Sequence, residues 1–284
     1  MYKAFFHLTR NPFELTPDPN CFVPTPRHNE ALAALYYGVR RHKGFVVVTG
    51  EVGTGKTLLL RCLLRLLENS KDIAYAYLFN SRLAPTDFLQ YVLADFGLPS
   101  SGKNKCELLL DLSKFLVTRG TKQMTTVLVV DEAHDLPVDT LEELRLLSNL
   151  ETTEDKLLQI ILVGQPELDK KLDSYELRQL KQRIALRTQL GALTEKQTQE
   201  YIEQRLRIAG ADPAGRQLFS QQAVAAIYSF SRGYPRLINI LCENALIAAY
   251  AKETPTVPAR IIEDVAAEFR LETFWEPEQP LRAE

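Results

Sequence analysis

The sequence predicts a three-layer α/β domain built on a parallel sheet, followed by a smaller domain made only of helices. Short apolar runs alternate with segments of helical periodicity as far as Gly191, which is the pattern of parallel strands joined by crossover helices. Beyond Gly191 the strand signal ends and only helical periodicity continues. The helices predicted there lie at residues 195–209, 221–230, 235–251 and 258–270.

Five short apolar runs, several of them rich in β-branched residues, are predicted to form the strands. Runs of this kind, bounded by glycine or polar residues, are typical of strands that are buried on both faces. The predicted strands are 45–49, 73–79, 126–130, 157–163 and 187–190. The helices between them are predicted at 57–68, 85–96, 105–118, 138–149 and 175–183, and one more helix begins at His28.

The two ends of the chain have a different composition. The first 27 residues contain five prolines, so we expect an irregular strap, neither helix nor strand, that is packed by its phenylalanines. The final residues are acidic and lack periodicity, which indicates a flexible tail. The predicted organisation is a strap at 1–27, the α/β domain at 28–191, the helical domain at 192–270 and the tail at 271–284.

The composition describes a soluble, folded chain of 284 residues with 45% hydrophobic residues and a net charge of −2. With 34 basic against 36 acidic residues, the whole chain has no excess positive charge to hold nucleic acid. Its four cysteines contain no C-x-x-C pair, which disfavours a zinc site or a disulfide framework. Reduced cysteines, and a sequence without a signal peptide or an apolar run of about 20 residues, predict a cytoplasmic protein without a membrane span.

The clearest motif is a glycine-rich loop between the first predicted strand and the helix that follows it. Its residues are Gly50, Glu51, Val52, Gly53, Thr54, Gly55, Lys56 and Thr57, with Leu58 next. They fit the pattern G-x-x-x-x-G-K-[ST], in which backbone N–H groups and the positive end of a helix hold phosphate oxygens. Lys56 is expected to contact the β- and γ-phosphates, and Thr57 to bind Mg²⁺.

Two adjacent carboxylates end the third predicted strand, in the string VLVVDE. The carboxyl end of a strand in an open α/β sheet is where ligands bind. We expect Asp131 to hold Mg²⁺ through water, and Glu132 to orient and deprotonate the attacking water. Nucleotide binding and hydrolysis are therefore assigned to different residues.

The same carboxylates begin Asp131-Glu132-Ala133-His134, which also spells the DEAH box of a large helicase class. Helicases of that class have two sheet domains, whereas this sequence predicts one, and their other motifs do not occur in it. The helicase interpretation is therefore not favoured. His134 is expected to be a polar residue beside the site or a relay to Glu132.

Three arginines are candidates for contacts with the γ-phosphate. Arg236 follows Gly233-Tyr234-Pro235 at the start of a helix in the second domain, from which it can act as a sensor of the nucleotide. Arg183, or alternatively Arg178, lies just before the α/β domain ends and is a candidate for an arginine supplied to a neighbouring subunit's nucleotide. We favour Arg183, but the sequence leaves this choice open.

Together these motifs resemble the AAA+ ATPases over about residues 28–270. A narrower resemblance, to the ExeA-type ATPases of the general secretion pathway, rests on FFHLTRNPFELTPDPNCFVPTPRHNEAL, LYYGV, GFVVVTGEVGTGKT, VLVVDEAHDL and ILVGQPEL. The resemblance implies a P-loop NTPase fold whose small helical domain is the AAA+ lid. It also implies that Gln165 is the first sensor residue, where many AAA+ proteins have Asn or Thr, and that the segment 11–22 and His28 help to frame the adenine.

The same resemblance implies Mg²⁺-dependent hydrolysis of ATP, coupled to homo-oligomerisation in a ring or filament and to the remodelling of a partner in secretion or cell-envelope export. Full-length secretion members continue into a membrane span and a periplasmic domain, so we expect this chain to be a soluble, ATPase-only relative. Other relatives resemble regulatory ATPases of DNA transposition. A DNA-binding ATPase regulator, with 40–43 and 170–171 as candidate DNA contacts, is therefore the alternative. A scaffold that binds nucleotide without hydrolysis is disfavoured by the pair Asp131 and Glu132.

Overall fold

The computed structural model describes residues 2–79, 82–152, 155–212 and 217–271, which form two compact units. The α/β unit comprises Pro24–Gly191. The helical unit joins the residues up to Val23 with those from Ala192 onward. From position 272 on, the tail that we expected at 271–284 lies outside the described residues.

Five strands and twelve α-helices occur among the described residues. Strands β1–β5 span, in this order, Phe45–Gly50, Ile73–Leu78, Thr125–Val130, Gln159–Gly164 and Ile184–Leu190. Helices α1–α12 span, in this order, Tyr2–Phe5, Pro26–Arg40, Lys56–Glu68, Pro85–Asp95, Lys105–Gly120, Val138–Leu147, Pro166–Leu172, Arg178–Lys181, Glu195–Ile208, Gln221–Ser231, Pro235–Ala251 and Ala259–Glu268. Two short 3₁₀ turns lie at Pro19–Cys21 and Ala133–Asp135.

The five strands form one parallel sheet in the order β2-β3-β4-β1-β5, which confirms the predicted P-loop NTPase fold class. Strand β4 lies between β1 and β3, so the carboxyl ends of these three strands are neighbours. Ligands of open α/β sheets bind outside the carboxyl ends of the strands. A ligand site is therefore expected among the residues that follow β1, β3 and β4.

The central strands are held by burial on both faces. Every residue of β1, β3 and β4 is buried, whereas the edge strands β2 and β5 are buried only in part. Each large apolar side chain removed from water contributes about 1.5–3 kcal/mol to folding. The candidate site therefore lies at the ends of strands that are buried on both faces.

Helix α2 begins where the sequence supplies a cap. Thr25 is the N-cap residue, its hydroxyl oxygen accepts a hydrogen bond from the backbone N–H of His28, and Pro26 occupies the first turn. This start explains why the helix begins two residues before the predicted position. Asn104 and Glu107 form a capping box at the start of α5 in the same way.

The N-terminal segment packs within the helical unit, whereas we expected a separate strap at 1–27. Phe13 and Val23 are buried in one hydrophobic core with α9–α12, and the Phe13 ring contacts that of Phe219 at 6.0 Å between centroids. Arg205 on α9 donates a hydrogen bond of 2.6 Å to the carbonyl oxygen of Pro12. The segment also contains the helix α1, against our expectation; its first proline is Pro12, so no proline interrupts residues 2–5, and Tyr2 of this helix is buried in the same core.

Other elements differ from the prediction as well: the helix predicted at 175–183 is only the short Arg178–Lys181, and the strand predicted at 157–163 begins at Gln159. Helix α7 follows β4 directly and was not predicted; Pro166 in its first turn is compatible with a helix start. Strand β5 begins at Ile184, three residues before its predicted start, because its pairing with β1 already begins at Ile184. Within the described part of the chain, no helix combines the length and the apolar character needed to cross a lipid bilayer.

Candidate functional site

The loop after β1 has a backbone shape that suits a phosphate chain. Gly53 and Gly55 have positive φ angles of 83° and 95°, which glycine adopts without strain. A Cβ on Gly50 would lie 2.7 Å from the carbonyl oxygen of Leu190, so the close approach of β1 and β5 requires glycine there. The loop leads into α3, whose first N–H groups have no acceptor within the helix. Such N–H groups, together with the helix dipole, attract anions.

Lys56 is the first residue of α3, and its ammonium group turns back onto the loop. Its Nζ donates hydrogen bonds to the carbonyl oxygens of Gly50, at 2.7 Å, and Glu51, at 3.0 Å. Burial lowers the pKa of Lys56, while the charges of Glu132 and Asp131 oppose this shift. A buried ammonium that donates to carbonyl groups can exchange these partners for phosphate oxygens, with which it forms stronger, charge-assisted hydrogen bonds.

His28 connects helix α2 to the same loop. Its Nε2 lies 2.9 Å from the carbonyl oxygen of Thr54, and its Nδ1 lies 2.6 Å from the hydroxyl of Thr25. Because a carbonyl group only accepts, Nε2 carries the proton and Nδ1 accepts from the Thr25 hydroxyl. Burial lowers the pKa of His28, which favours this neutral form. The ring is thus placed to brace the loop, and its expected role beside the adenine stays a prediction.

Thr57 and Asp131 meet at the position predicted for the metal. The Thr57 hydroxyl donates a hydrogen bond of 3.1 Å to Oδ2 of Asp131, whose side chain is buried. The Tyr77 hydroxyl donates to the same oxygen, also at 3.1 Å. Burial, and then the charge of Asp131, raises the pKa of Tyr77, so this hydroxyl keeps its proton.

Sequence reasoning missed Tyr77. Its position on β2 is paired with Val129 on β3, two residues before Asp131. Residues two apart on a strand point to the same face of the sheet. Finding Tyr77 requires the register in which β2 pairs with β3, and this register cannot be read from the sequence.

Glu132 sits at a sharp bend after β3. Its φ angle of 50° is in the left-handed region, which is uncommon for a residue with a side chain and often marks functional sites. The bend is held by hydrogen bonds from the Glu132 N–H to Oδ1 of Asp131 and from the Asp135 N–H to the Glu132 carbonyl oxygen. Among the described residues, Oε2 of Glu132 accepts no hydrogen bond although it is buried; it lies 3.4 Å from Nδ1 of His134.

Gln165 follows β4 and contacts His134. Its side-chain Nε2 lies 3.1 Å from the Nε2 of His134, and its backbone N lies 3.4 Å from the Nδ1. Lys171 on α7 donates hydrogen bonds to the carbonyl oxygens of His134, at 2.5 Å, and Leu136, at 2.8 Å. The structure thus brings the predicted sensor residue and the predicted base to the two sides of one histidine.

The three candidate arginines have different surroundings. The guanidinium of Arg183 donates a hydrogen bond of 2.8 Å to the Ser148 hydroxyl. Arg178 is exposed, and its guanidinium lies 3.9 Å from the ring centroid of Tyr175. Arg236 is exposed at the second position of α11 in the helical unit. Their roles toward a nucleotide stay predictions.

The residues at the ends of β1 and β3 fit a nucleoside triphosphate with Mg²⁺. The loop provides two glycines at positive φ and a buried ammonium, and the neighbouring elements provide a hydroxyl and a carboxylate in contact. Oxygen ligands of this kind are those that Mg²⁺ prefers, usually one or two from the protein besides phosphate and water.

Comparison with known proteins agrees with this arrangement. Residues 39–172 match a family described as "AAA domain". The chain is 43% identical over 253 residues to "General secretion pathway protein A" of Aeromonas hydrophila; the match covers 89% of this chain and 45% of that protein. The chain therefore spans less than half the length of this relative.

Solved structures with a similar fold have low sequence identity. Cdc6p from Pyrobaculum aerophilum has a TM-score of 0.68 at 18% identity, and the match covers 90% of this chain and 70% of that one. The ORC2 protein of Aeropyrum pernix has a TM-score of 0.65 at 17% identity, covering 91% and 71%. The RuvB branch migration motor of Thermotoga maritima has a TM-score of 0.58 at 15% identity, and the match covers 91% of this chain and 73% of that one. At these identities the likeness shows a shared fold.

Proposed function

The chain belongs to the AAA+ ATPases and is a homologue of general secretion pathway protein A, and from this premise we propose that it binds Mg²⁺-ATP and hydrolyses it to ADP and phosphate. The observation that carries the proposal is the contact between Thr57 and Asp131 beside the phosphate loop. Thr57 would bind the metal directly, and Asp131 would bind it through water. The ion, when bound, would neutralise charge on the β- and γ-phosphates.

Each remaining residue of the site has a separate task. Lys56 would transfer its hydrogen bonds from the loop carbonyls to phosphate oxygens. Glu132 would orient the attacking water and accept its proton, a role that contributes about 10²–10⁴ in rate. Gln165 would sense the γ-phosphate.

We propose that the site is completed in a homo-oligomer, a ring or a filament. Arg183, or the exposed Arg178, would be supplied by a neighbouring copy, and Arg236 by the lid. Arginine contacts of this kind contribute about 10³–10⁵ in rate in related phosphoryl-transfer enzymes. Specific activity should therefore rise with protein concentration.

For the cellular role we propose the remodelling of a partner in secretion or cell-envelope export, which rests on the name of the relative. ATP as the substrate and four free cysteines suit the cytoplasm. The alternative role, regulation of DNA transposition, has no specific support in a chain whose net charge is −2.

Phosphate release measured over a wide range of protein concentration tests the proposal. We expect hydrolysis to require Mg²⁺ and to rise more than linearly with concentration. Glu132→Gln should keep ATP binding and lose at least about 100-fold in hydrolysis, while Glu268→Gln, at an exposed position of α12, should match the wild type. Bound ATP without phosphate release at any concentration would support a scaffold instead. ATP-stimulated, salt-sensitive binding of a labelled duplex would support the DNA alternative.

A further inference from the structure

We propose that Lys171 is a positioning residue for hydrolysis, because its ammonium group fixes the turn that follows β3 and thereby the place of Glu132. This inference rests on the proposed function, in which Glu132 is the base. It adds a residue of α7 that acts only through the backbone of the turn. Lys171 is a fixed support and not a sensor of the nucleotide.

Glu132 has a backbone conformation that needs support from its surroundings. Its φ and ψ angles of 50° and 40° are left-handed, and this conformation costs free energy in a residue with a side chain. Such a conformation persists only where neighbouring contacts over-determine it. On one side the bend is held by β3, every residue of which is buried. On the other side it continues into the 3₁₀ turn Ala133–Asp135, so the bend is fixed only if this turn is fixed as well.

The turn ends where its own backbone has no further donor. In a 3₁₀ turn each carbonyl oxygen accepts a hydrogen bond from the N–H three residues later. Two such bonds form, from the N–H groups of Asp135, at 3.0 Å, and Leu136, at 3.2 Å. The carbonyl oxygen of His134 would need the N–H of Pro137, and proline has none.

Lys171 supplies the missing donor from outside the turn. Its Nζ donates hydrogen bonds to the carbonyl oxygens of His134, at 2.5 Å, and Leu136, at 2.8 Å. The donor carries a full charge, so these hydrogen bonds are stronger than those between neutral groups. One ammonium group therefore ties the end of the turn to α7 at two points.

The position of Lys171 is itself fixed by the packing of α7. Leu168 and Leu172 of this helix are fully buried in the core of the α/β unit. A Cβ on Gly164, at the end of β4, would lie 3.1 Å from both the backbone N of His134 and Cδ2 of Leu168. The turn thus lies against the end of β4 and is fastened there by Lys171, which leaves it little freedom to move.

The contacts that support the base differ from those that support the nucleotide site. Lys56 bonds to the phosphate loop and Thr57 bonds to Asp131, and Lys171 takes part in neither contact. Loss of the Lys171 ammonium should leave these contacts in place while the turn that carries Glu132 loosens. Rates depend strongly on the exact placement of a reacting group. The defect is therefore expected in kcat and not in the affinity for ATP.

Steady-state kinetics test this separation. Lys171→Met retains a long side chain and removes the donor, so we expect kcat to fall about tenfold, a fraction of what a general base contributes, while the Kd for ATP stays within about twofold. Lys171→Arg, which keeps a charged donor, should restore kcat to within about threefold of the wild type. Lys114→Met, at an exposed position of α5, is the matched control and should match the wild type. If Lys171→Met does not fold, Lys171→Gln takes its place, and kcat should fall in the same direction.

A double-mutant cycle with Glu132→Gln shows whether Lys171 acts through the base. Single-turnover phosphate release with excess enzyme measures the low rate that remains without the carboxylate. In the Glu132→Gln background, Lys171→Met should change this rate by less than about twofold, against about tenfold in the wild type. A residue that merely supports the fold would lower both rates by the same factor.

Amide hydrogen exchange gives a readout that does not depend on activity. The N–H groups of Asp135 and Leu136 close the turn. We expect them to exchange at least about tenfold faster in Lys171→Met, because opening of the turn then needs less free energy. The N–H of Leu59, which bonds to the Gly55 carbonyl oxygen at 2.9 Å, should exchange at the wild-type rate.

Three outcomes would overturn the inference. They are a kcat of Lys171→Met equal to that of the wild type, an equal loss of rate in both backgrounds of the cycle, and unchanged exchange of the turn. If any of these occurs while the wild type hydrolyses ATP, the proposed function stands and only the role of Lys171 falls. If the wild type hydrolyses no ATP, the proposed function and the catalytic role of Lys171 fall together, while the exchange of the turn still reports whether Lys171 holds it.

Discussion

The Nε2 of His28 donates a hydrogen bond of 2.9 Å to the carbonyl oxygen of Thr54, so a side chain of α2 supports the phosphate loop from behind its backbone. The next loop residue packs on the same ring, since a Cβ on Gly55 would lie 3.2 Å from Nε2. The Thr25 hydroxyl completes the chain of contacts at Nδ1. The loop is thus held in shape before any ligand arrives, which lowers the entropic cost of binding.

Replacing His28 should weaken both folding and nucleotide binding. In His28→Ala the Thr54 carbonyl loses its buried donor, which costs about 1–3 kcal/mol in the free energy of unfolding. We expect ATP affinity to fall by about tenfold, because part of this free energy then goes into ordering the loop. His28→Gln, whose amide can donate in place of Nε2, should retain most of the stability and most of the ATP affinity. Urea unfolding measures the change in stability, and titration calorimetry measures the change in ATP affinity. An unchanged ATP affinity in His28→Ala would contradict the role of His28 in holding the phosphate loop.

The same histidine should make stability depend on pH. Burial lowers the pKa of His28 in the folded chain, while in the unfolded chain it is about 6.5. As the pH falls below about 6.5, the unfolded chain takes up the proton first, so the free energy of unfolding decreases until the folded pKa is reached. His28→Gln should flatten this part of the profile in urea unfolding between about pH 7.5 and 5.

Glu243 acts in the opposite direction in that experiment. Its pKa is raised, first by burial, so the folded chain holds this proton more tightly than the unfolded chain. Because Glu243 is present in both proteins, its contribution cancels when the wild type is compared with His28→Gln. Parallel pH profiles of the two proteins would contradict the assignment to His28.

Lys56→Ala should abolish ATP binding without unfolding the chain. Burial lowers the pKa of the Lys56 ammonium, so its charge does not stabilise the folded state. In the complex with ATP the same ammonium would donate hydrogen bonds to phosphate oxygens, and the substitution removes them. We expect at least about a 100-fold loss of affinity by titration calorimetry. Lys196→Ala, at an exposed position of α9, is the control and should bind as the wild type does. Equal affinity in Lys56→Ala and the wild type would contradict the phosphate-loop assignment.

Tyr77→Phe should change the requirement for Mg²⁺. The substitution removes a hydroxyl group that, like that of Thr57, donates a hydrogen bond to Oδ2 of Asp131. Loss of a partner that orients a metal-binding carboxylate typically lowers metal affinity about 10–100-fold. Half-maximal phosphate release should then need about tenfold more Mg²⁺. Tyr75→Phe is the matched control, because the Tyr75 hydroxyl on the same strand bonds Glu68 instead; an equal shift in both variants would show that the effect does not arise at Asp131.

The predicted fold class is confirmed, and the centre of the candidate site stays a prediction; both could be derived from the sequence because their signals are local. The phosphate loop is a run of neighbouring residues whose glycines and lysine have a fixed spacing, and Asp131 and Glu132 directly end an apolar strand. The placement of Gln165 beside this strand end also follows from parallel strands having their carboxyl ends on one edge. Helix α7, the start of β5 and the packing of the first 23 residues were not predicted, because each depends on a partner elsewhere in the chain.

The sequence alone was sufficient to propose which residues contact phosphate and metal, because these residues lie in short contiguous motifs. The tertiary structure decided which side chains support them. His28 and Thr54 are 26 positions apart, Tyr77 and Asp131 are 54 apart, and His134 and Gln165 are 31 apart. Each pair meets only because a parallel sheet joins distant strands in an order and register that no local pattern contains.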